Sequence, residues 1–492
     1  MAARLKSLIF VMFFLSGFSG LLYQVVWIRI AYAHFGIITP VLSVIISVFM
    51  LGLALGSWAG GKWISPLTSR FNRSSLALYG LAELIIGIGA FTVPVLFSWG
   101  ERLLFSAGEM NSAKYLFCSA AAIGLSILPW CVVMGFTYPF MMSFLSGIRE
   151  KGHATSFSYL YFANVLGAMS GTLLTALVLI ELFGFRSTLR IGALFNFLIA
   201  VASFVLSSTS SGKVLPAEKD RPGGEEIPQG VISRREGHLI CVILTITGFA
   251  SMGMEVVWVR AFTPVLKTLT YSFASLLTTY LLATWIGSCL YRRHIDQKRV
   301  WPAGTILAVL TVVSFFPLVM NDPRLEVGIP TALFSIFPLS CALGYLTPQL
   351  IDRYSLGEPV GAGRAYALNM LGCIVGPLFS SYVLLPFFGV KLSLIILSIP
   401  FLLLFLMYRT KGDGPDWSLL IVFTALLLFL RSIFVNAGYE EVFMNRGGIV
   451  RRDHTATVVS IGQGMQRRLL VNGISITYLT PITKVMAHLP LA

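Results

Sequence analysis

Long hydrophobic segments, each bounded by charged residues, proline or glycine, follow one another along most of the chain. A helix of about 20 apolar residues crosses the roughly 30 Å hydrocarbon layer of a membrane, and these segments reach that length. The pattern predicts two sets of six membrane-spanning helices and one further helix, about thirteen in all. The first set lies near 8–30, 40–64, 75–98, 116–146, 155–182 and 188–206, the second near 238–262, 270–291, 302–320, 328–351, 364–385 and 392–408, and the further helix near 417–435.

The two sets repeat the same sequence blocks in the same order. GFSGLLYQVVWIR (17–29) matches GFASMGMEVVWVR (248–260), PWCVVMGFTYP (129–139) matches PLSCALGYLTP (338–348), and YFANVLGAMSG (161–171) matches YALNMLGCIVG (366–376). Since each set has an even number of spans, both copies enter the membrane in the same direction. The sequence therefore predicts an all-α polytopic membrane protein built from two parallel six-helix repeats, as in transporters with two six-helix halves.

The segments between and after the repeats have a different composition. Residues 207–237 contain ten charged residues together with prolines and glycines, which predicts a flexible linker. Near the C-terminus, β-branched runs alternate around Gly462-Gln463-Gly464 and around Asn472-Gly473, and Asn-Gly between such runs is a strong hairpin signal. We expect a β-meander with strands near 455–461, 467–471 and 474–478, then a helix from about Pro481.

These segments divide the chain into five parts. They are a first membrane repeat at 1–206, the linker at 207–237, a second membrane repeat at 238–410, an additional transmembrane helix at 411–436, and the β-meander with the start of a helix at 437–492. The last part is expected to be an incomplete domain.

Composition narrows the class of protein. Hydrophobic residues make up 56% of the chain and charged residues 12%, whereas soluble domains average about 45–50% and about 25%. An ordinary soluble enzyme is excluded. The partner that this composition implies is the lipid bilayer.

Basic residues exceed acidic ones, with 36 Lys and Arg against 21 Asp and Glu. With a cytoplasmic N-terminus, the loops on the inner side hold twenty basic residues and the outer turns hold nine. Because basic residues collect in cytoplasmic loops, this asymmetry favours an N-terminus inside, and it leaves no excess that points to a nucleic-acid partner. We expect an integral protein of the bacterial cytoplasmic (inner) membrane, with the residues after the thirteenth span on the outer side.

No pattern of catalytic, metal-ligating or cofactor-binding residues is present in the sequence. The six cysteines lie far apart in apolar segments, and the six histidines are scattered without ligand spacing. Gly87-Ile88-Gly89 lies inside a span and does not follow a strand, so it predicts no nucleotide cradle. The sequence therefore predicts no metal, no cofactor and no catalytic residue in this chain.

Polar residues inside the predicted spans are the candidates for function. Glu255 and Arg260 lie in the seventh span, Gln24 and Arg29 occupy the same places in the first, and Glu83 lies in the third. Each buried charge costs several kcal/mol in hydrocarbon and needs a partner or a cavity. Five residues turn a helix by about 140°, so Glu255 and Arg260 are expected to pair with other spans. A functional role and a buried structural pairing both remain open.

Small residues recur at helical spacing within the spans. Glycines four residues apart let helix backbones approach closely, and the alternative is a passage for a substrate. These glycines are Gly52, Gly56 and Gly60 in the second span, with Gly167 and Gly171 and their repeats Gly372 and Gly376. Asn164 and Asn369 precede the last two pairs by three residues and are expected to hydrogen-bond across helices.

These blocks resemble a known membrane family. GFSGLLYQVVWIRIAYAHFG, followed by SVFMLGLALGSWAGGK, and the Y-x-x-N-x-x-G-x-x-x-G blocks resemble the membrane domain of the multi-pass spermidine synthase-like proteins, which fuse a transporter-like part to a spermidine synthase-like part. The resemblance covers essentially the whole chain. It implies a β-stranded lid at 455–492, and then a Rossmann-like domain that binds decarboxylated S-adenosylmethionine or a relative.

The resemblance implies that this chain is the membrane portion of an aminopropyltransferase-like protein of polyamine biosynthesis. The glycine-rich cofactor loop and the catalytic Asp of that family would lie beyond Ala492. The lid-like residues also depart from the family pattern, with Asn472 in place of an Asp and Ile476 in place of a Gln. The chain is thus expected to be catalytically incomplete, and an S-adenosyl-type nucleotide would bind only to a separate catalytic polypeptide.

A second hypothesis concerns the membrane part alone. The parallel six-plus-six repeat and the sparse acids inside the membrane are also typical of a transporter, or a membrane binding module, for small cationic or amine solutes.

Overall fold

Long helices form most of the chain up to residue 445. The structure, a computed structural model, describes residues 2–71, 74–106, 108, 111–148, 156–209, 233–266, 269–409, 418–453, 455–478, 480 and 483. Most of the predicted linker at 207–237 and of the helix predicted from about Pro481 lies outside these residues, so both stay predictions.

The first set of helices forms the first bundle. Its members are α1 (Ala2–Phe35), α2 (Thr39–Phe71), α3 (Ser75–Ser106), α4 (Ser112–Ile148), α5 (Ser156–Leu174) and α6 (Ile180–Thr209), and a π-helical turn at Thr175–Leu179 joins the last two. Prolines lie inside α2, α3 and α4. Membrane helices tolerate such prolines because neighbouring groups satisfy the freed backbone carbonyls.

The second set forms the second bundle. Its members are α7 (Arg234–Leu266), α8 (Leu269–Asp296), α9 (Ala303–Val313), α10 (Phe316–Met320), α11 (Ile329–Ser355), α12 (Pro359–Phe379) and α13 (Leu385–Arg409), with a π-helical turn at Ser380–Leu384. Helices α9 and α10 together make one apolar run across the membrane, Ala303–Met320.

The same bend interrupts both bundles. Apolar helical runs of 52 and 50 residues, Phe157–Ser208 and Pro359–Tyr408, are each about twice the length that crosses a membrane. Each run contains a glycine with φ of 70°, Gly184 in the first and Gly389 in the second, a few residues after its π-helical turn. Counted as two crossings each, these runs bring the eleven apolar runs of the described residues to thirteen crossings.

The two bundles meet along two pairs of helices. Helix α2 packs against α12 and α5 packs against α8. Within the bundles, α1 packs on α5 and α7 packs on α12 at the corresponding places of the repeat. Hydrogen bonds also cross between the bundles inside the membrane, for example from the Ser47 hydroxyl to the Ile374 carbonyl at 2.9 Å.

A thirteenth membrane helix connects the second bundle to a small domain. Helix α14 spans Ser418–Phe434 and is followed by the short α15, Tyr439–Asn445. Four antiparallel strands come next in the order β1-β2-β3-β4: Ile449–Arg452, Thr457–Ile461, Arg468–Val471 and Ile474–Tyr478. We refer to α15 and this sheet, residues 439–478, as the cap.

The Asn-Gly signal places the last hairpin of the cap. Asn472 and Gly473 have φ of 48° and 82°, the left-handed pair of a two-residue hairpin turn. The Asn472 side-chain oxygen also accepts a hydrogen bond from the Thr457 N–H at 2.9 Å, which ties the turn to β2. The predicted helical membrane fold with a small C-terminal β-meander is therefore confirmed. Strand β1 is an addition to the three predicted strands.

Candidate functional site

The glycine stripes lie at helix contacts inside each bundle. Gly56 faces the backbone of α4 at Val132 and Gly135, and its neighbours Gly52 and Gly60 face the same helix. A methyl group at Gly167 would overlap the Phe14 carbonyl of α1. Gly171, Gly372 and Gly376 meet the backbones of α1 and α7 in the same way. In the described structure these glycines therefore seat one helix closely on another.

The two asparagines of the repeated block lie at the same contacts. The Asn369 amide donates to the Leu244 carbonyl of α7 at 2.8 Å. In the first bundle, Asn164 lies directly against Gly17 of α1. Both residues thus belong to the α1–α5 and α7–α12 contacts, at corresponding positions of the two bundles.

Glu83 lies in a hydrogen-bonded network within the first bundle. Its carboxylate is fully buried and accepts hydrogen bonds from the Ser16 hydroxyl and the Asn196 amide, both at 2.6 Å. The Tyr23 hydroxyl donates to the Asn196 side-chain oxygen at 2.6 Å. Since each carboxylate oxygen has a donor, the arrangement joins α1, α3 and α6 and has the features of a structural contact.

The two corresponding arginines have different partners. In the first bundle, Arg29 lies 3.7 Å from Glu181, measured from Nη1 to Oε1. In the second bundle, Arg260 is buried and its Nη2 donates to the Thr457 hydroxyl of the cap at 3.0 Å. Pro386 stands at the place of Glu181 in the second copy, by the offset that relates Asn164 to Asn369. The cap thus provides a contact that the second bundle lacks.

Glu255 is the buried acid of α7, and it differs from Glu83 in its surroundings. Its side chain is 2% exposed, and its Oε2 atom has no hydrogen-bond partner among the described residues. None of the ion pairs between described residues includes it. Gln24, its counterpart on α1, is also buried but carries no charge.

Three titratable groups on other helices belong to the wider surroundings of Glu255. The Glu255 carboxyl lies within electrostatic range of the Tyr280 hydroxyl of α8 and of the Cys373 thiol of α12. Tyr161 of α5 interacts with these same two groups. The close approach of α12 to α7 places the Cys373 thiol 3.1 Å from the position of a methyl group at Gly248, about two helical turns before Glu255. We call Glu255, Tyr280, Cys373 and Tyr161 the central cluster. It lies where the second bundle meets α5 of the first.

An aromatic layer extends from the central cluster towards one end of the bundles. The Tyr138 and Tyr366 rings lie 5.4 Å apart between centroids, and Phe157 packs against Tyr366 at 5.6 Å and against Tyr161 at 5.8 Å. Since α4 and α5 belong to the first bundle and α12 to the second, this layer spans the interface. It covers the central cluster on the side where α4 ends and α5 begins.

Polar contacts close the same end. The Ser158 N–H of α5 donates to the Asp352 carboxylate of α11 at 3.3 Å, and the Ser158 hydroxyl accepts from Arg292 of α8 at 3.3 Å. Tyr291 donates to the other oxygen of Asp352 at 3.3 Å. All of these partners of Ser158 belong to the second bundle. They would have to separate if the bundles opened on this side.

Of the predicted site residues, the structure places Glu255 buried on α7 of the second bundle, Glu83 inside the first bundle and Arg260 under the cap. Sequence reasoning did not single out the tyrosines of the cluster. The sequence could have indicated Tyr161, because Tyr161 and Tyr366 are the first residues of the two copies of the Y-x-x-N block. Within the described ranges, no group of three or more His, Cys, Asp or Glu residues is arranged to hold a metal ion.

Comparison with known proteins gives the fold. No family model matches the chain, and no curated protein matches its sequence. Among solved structures, the human organic anion transporter MFSD10 (TETRAN) is similar with a TM-score of 0.54 and 14% identity, covering 82% of this chain and 98% of that one. A point mutant of the nucleoside transporter NupG has a TM-score of 0.52 and 12% identity, covering 82% and 99%.

The proton:xylose symporter XylE, of the major facilitator superfamily (MFS), is also similar, with a TM-score of 0.50 and 13% identity over 84% of this chain and 97% of that one. At these identities the comparison shows the fold alone. The membrane body of this chain has the two-bundle fold of MFS transporters.

These neighbours overturn the resemblance to multi-pass spermidine synthase-like proteins. The solved structures compared above, each of which matches most of the chain, are transporters, so the prediction of the membrane portion of an aminopropyltransferase-like protein, and with it of a role in polyamine biosynthesis, is wrong. The physical reason lies in the motifs that carried the resemblance. Their glycines and asparagines form contacts between helices, as Gly56, Gly167 and Asn369 show. Such contacts indicate how the helices pack, and they do not indicate a catalytic activity.

Proposed function

We propose that this membrane protein with the MFS fold is a transporter of small solutes, and that its solute is a small cation of the amine class. The fold supports transport in general. The names of the neighbours cover nucleosides, organic anions and a sugar, so the fold does not select the solute. The choice of a cation rests on the central cluster.

The observation that carries the proposal is the contrast between two buried acids. Glu83 has donors on both carboxylate oxygens, whereas the Oε2 atom of Glu255 has no hydrogen-bond partner among the described residues. A carboxylate oxygen that has neither a donor nor a counter-charge in a membrane interior is costly, and such residues mark substrate or ion pathways. A cation at this position would supply the missing charge.

Tyr280 and Tyr161 of the central cluster suit the same solute. Aromatic ring faces attract cations, and the attraction is larger when the site is desolvated. Tyr280 belongs to the second bundle and Tyr161 to the first, so the central cluster joins residues of both bundles. In transporters built from two repeats, rocking of one bundle against the other exposes such a central site to each side in turn. The proposed transport involves no bound cofactor.

We further propose that the N-terminus lies inside and that the membrane is the bacterial cytoplasmic membrane. The excess of basic residues in the loops on that side supports this orientation. The closed end at Ser158 and Asp352 would then face the cytoplasm, and the cap would face outwards. Protease access to the cap in right-side-out vesicles tests the orientation, and protection of the cap would contradict it.

The test of the transport proposal is uptake by the full chain in liposomes. Labelled ethylamine, choline and putrescine are the probes, and labelled glucose is the neutral comparison. We expect uptake of at least one amine above that of empty liposomes. Glu255→Gln should lower this uptake at least tenfold, because a charged interaction worth about 1.5–3 kcal/mol is lost.

The matched control is Glu83→Gln, which removes the other buried acid. We expect it to lower thermal stability but to keep most of the uptake per folded molecule, since Glu83 lies in a network internal to the first bundle. Absence of flux for all three amines, or unchanged uptake by a folded Glu255→Gln protein, would contradict the proposal.

A further inference from the structure

A cavity of about 180 Å³ lies between the second bundle and the cap. The end of α7 contributes Arg260 and Pro264 to its wall, and the segment around the α13 bend contributes Phe388 and Lys391. The cap closes the other side with α15 and with residues of β1, β2 and the last hairpin turn. The cavity lies at the end of α7, five residues beyond Glu255, and none of the residues that line it belongs to the central cluster.

Arg260 lines this cavity and has unsatisfied hydrogen-bond donors. Its side chain is 4% exposed, and Nη2 donates to the Thr457 hydroxyl at 3.0 Å. The Nε and Nη1 atoms are buried and have no acceptor among the described residues. Leaving buried charged donors unpaired costs more than an unpaired neutral group. The cavity thus holds a cation whose hydrogen-bonding capacity is only partly used.

The nearby acids of the cap are already engaged. Glu440 lies 3.1 Å from Arg452 and accepts a hydrogen bond from the Thr457 hydroxyl at 3.1 Å. Glu441 lies 3.1 Å from Lys391. Neither acid forms a direct ion pair with Arg260 in the described structure.

The repeat explains why Arg260 lacks an acid of its own bundle. In the first bundle, Glu181 lies within 3.7 Å of Arg29. In the second bundle Pro386 stands at the corresponding place, so no carboxylate comes from the helix bend. An acceptor for Arg260 must therefore come from outside the bundle.

The charges and the apolar wall define the class of ligand. The cavity is lined by three basic residues, Arg260, Lys391 and Arg452, and by the two acids Glu440 and Glu441, and the charge of Asp453 also acts on Arg260. Lys391 and Arg452 are paired with Glu441 and Glu440, so Arg260 is the lining cation without an ion pair among the described residues. A ligand with a single negative charge suits it, and the nearby acids disfavour a dianion. Other parts of the wall are apolar. They are formed by Ala261, Pro264, Phe388, Leu392 and Met444.

We propose that this cavity binds a small monocarboxylate. The carboxylate accepts hydrogen bonds from Arg260, and a short hydrocarbon chain lies against the apolar wall near Phe388 and Leu392. The volume limits the ligand to a few carbon atoms, because pockets for drug-sized molecules measure about 300–1,000 Å³. Guanidinium and carboxylate form charge-assisted hydrogen bonds that are about twice as strong as neutral ones.

The experiment is calorimetric titration of the full chain in detergent with acetate, butyrate and hexanoate. Inorganic phosphate and butylammonium serve as comparisons of charge. We expect saturable binding at one site, an affinity that rises from acetate to hexanoate, and no binding of butylammonium. Arg260→Gln should weaken hexanoate binding at least tenfold, whereas Arg29→Gln, in the corresponding place of the first bundle, should leave it unchanged.

A second variant covers the case in which Arg260→Gln fails to fold. Ala261→Leu fills part of the cavity but keeps the arginine, and it should abolish hexanoate binding without removing any charge. The proposal is overturned if no monocarboxylate binds, if phosphate binds more tightly than hexanoate, or if a folded Arg260→Gln or Ala261→Leu protein binds hexanoate as the unmodified chain does. Because binding is measured without transport, these outcomes are distinguishable from a failure of amine uptake.

Discussion

Alanine at the two helix bends tests whether the cap is seated on the second bundle as described. Gly184 and Gly389 have the same φ of 70°, with ψ of 176° and −176°, a region that only glycine occupies readily. Forcing another residue into it costs about 1–3 kcal/mol. The two substitutions therefore share this backbone cost, and any difference between them comes from their surroundings.

Those surroundings differ in one respect. No atom of the described residues lies within 4 Å of a methyl group at Gly184, whereas a methyl group at Gly389 would overlap the Arg452 guanidinium and approach Glu440 Oε2 at 2.9 Å. The Arg452 and Glu440 side chains are 31% and 17% exposed and form an ion pair at 3.1 Å. Displacing a partly buried pair of this kind adds about 1 kcal/mol. We expect Gly184→Ala to cost about 1–3 kcal/mol and Gly389→Ala about 2–4 kcal/mol.

The measurement is the free energy of unfolding in mixed micelles during titration with SDS, for both variants and for each combined with Arg452→Ala. Truncation of Arg452 should remove the extra cost at Gly389 and leave the cost at Gly184 unchanged, because only neighbouring sites are coupled. Equal costs for the two glycines in the unmodified chain would refute the described seating of the cap. If Gly389→Ala still costs more than Gly184→Ala in the Arg452→Ala background, displacement of the Arg452–Glu440 pair is not the cause of the difference.

Two further predictions concern polar contacts. Asn196→Ala should destabilise the first bundle by about 1–3 kcal/mol, because it removes the hydrogen bond that Asn196 donates to Glu83 and the one that it accepts from Tyr23. Hydrogen bonds inside membrane bundles are worth about 0.6–1.7 kcal/mol each. An unchanged free energy of unfolding in the same micelle assay would contradict this prediction. Burial raises the pKa of Asp322, but hydrogen bonds, chiefly those from Arg324, lower it by more, so it lies below its ordinary value of 3.8. A depressed pKa stabilises the fold above about pH 4, and this stabilisation is lost as the pH falls through the pKa of the folded state. Asp322→Asn should therefore reduce the loss of thermal stability between pH 6 and pH 3. An equal loss in the variant and the unmodified chain would exclude the Asp322–Arg324 contact as its source.

The membrane architecture was predictable because its signal is local. An apolar run of sufficient length has few structures other than a helix in hydrocarbon, and the repeated blocks relate the two bundles directly. The Asn472-Gly473 turn was predictable for a similar reason, since left-handed backbone at two successive residues restricts the choice of side chain. Strand β1 was not predicted, because Ile449, Val450 and two arginines give no alternating apolar pattern, and only its pairing with β2 defines it.

The partners of the buried polar residues were not predictable, because they are distant along the chain. Glu83 is 113 residues from Asn196, and Arg260 is 197 residues from Thr457. A single sequence marks such residues as needing a partner but does not identify it. The resemblance failed for a related reason. It rested on the GFSGLLYQVVWIR and Y-x-x-N-x-x-G-x-x-x-G blocks, whose glycines and asparagines form helix contacts.

The attachment of the cap has a consequence for motion. The Arg260 contact with Thr457 and the Lys391 contact with Glu441 both fasten the cap to the second bundle, and the Asn436 amide, just before the cap, donates to the Leu318 carbonyl of the same bundle at 3.3 Å. In the rocking motion that we propose for transport, the cap would therefore move with that bundle. A small rotation of the bundle produces a larger displacement at a point farther from the axis of rotation. The distance between a spectroscopic label on the β3–β4 turn and one on the first bundle should therefore change measurably when the bundles rotate by a few degrees.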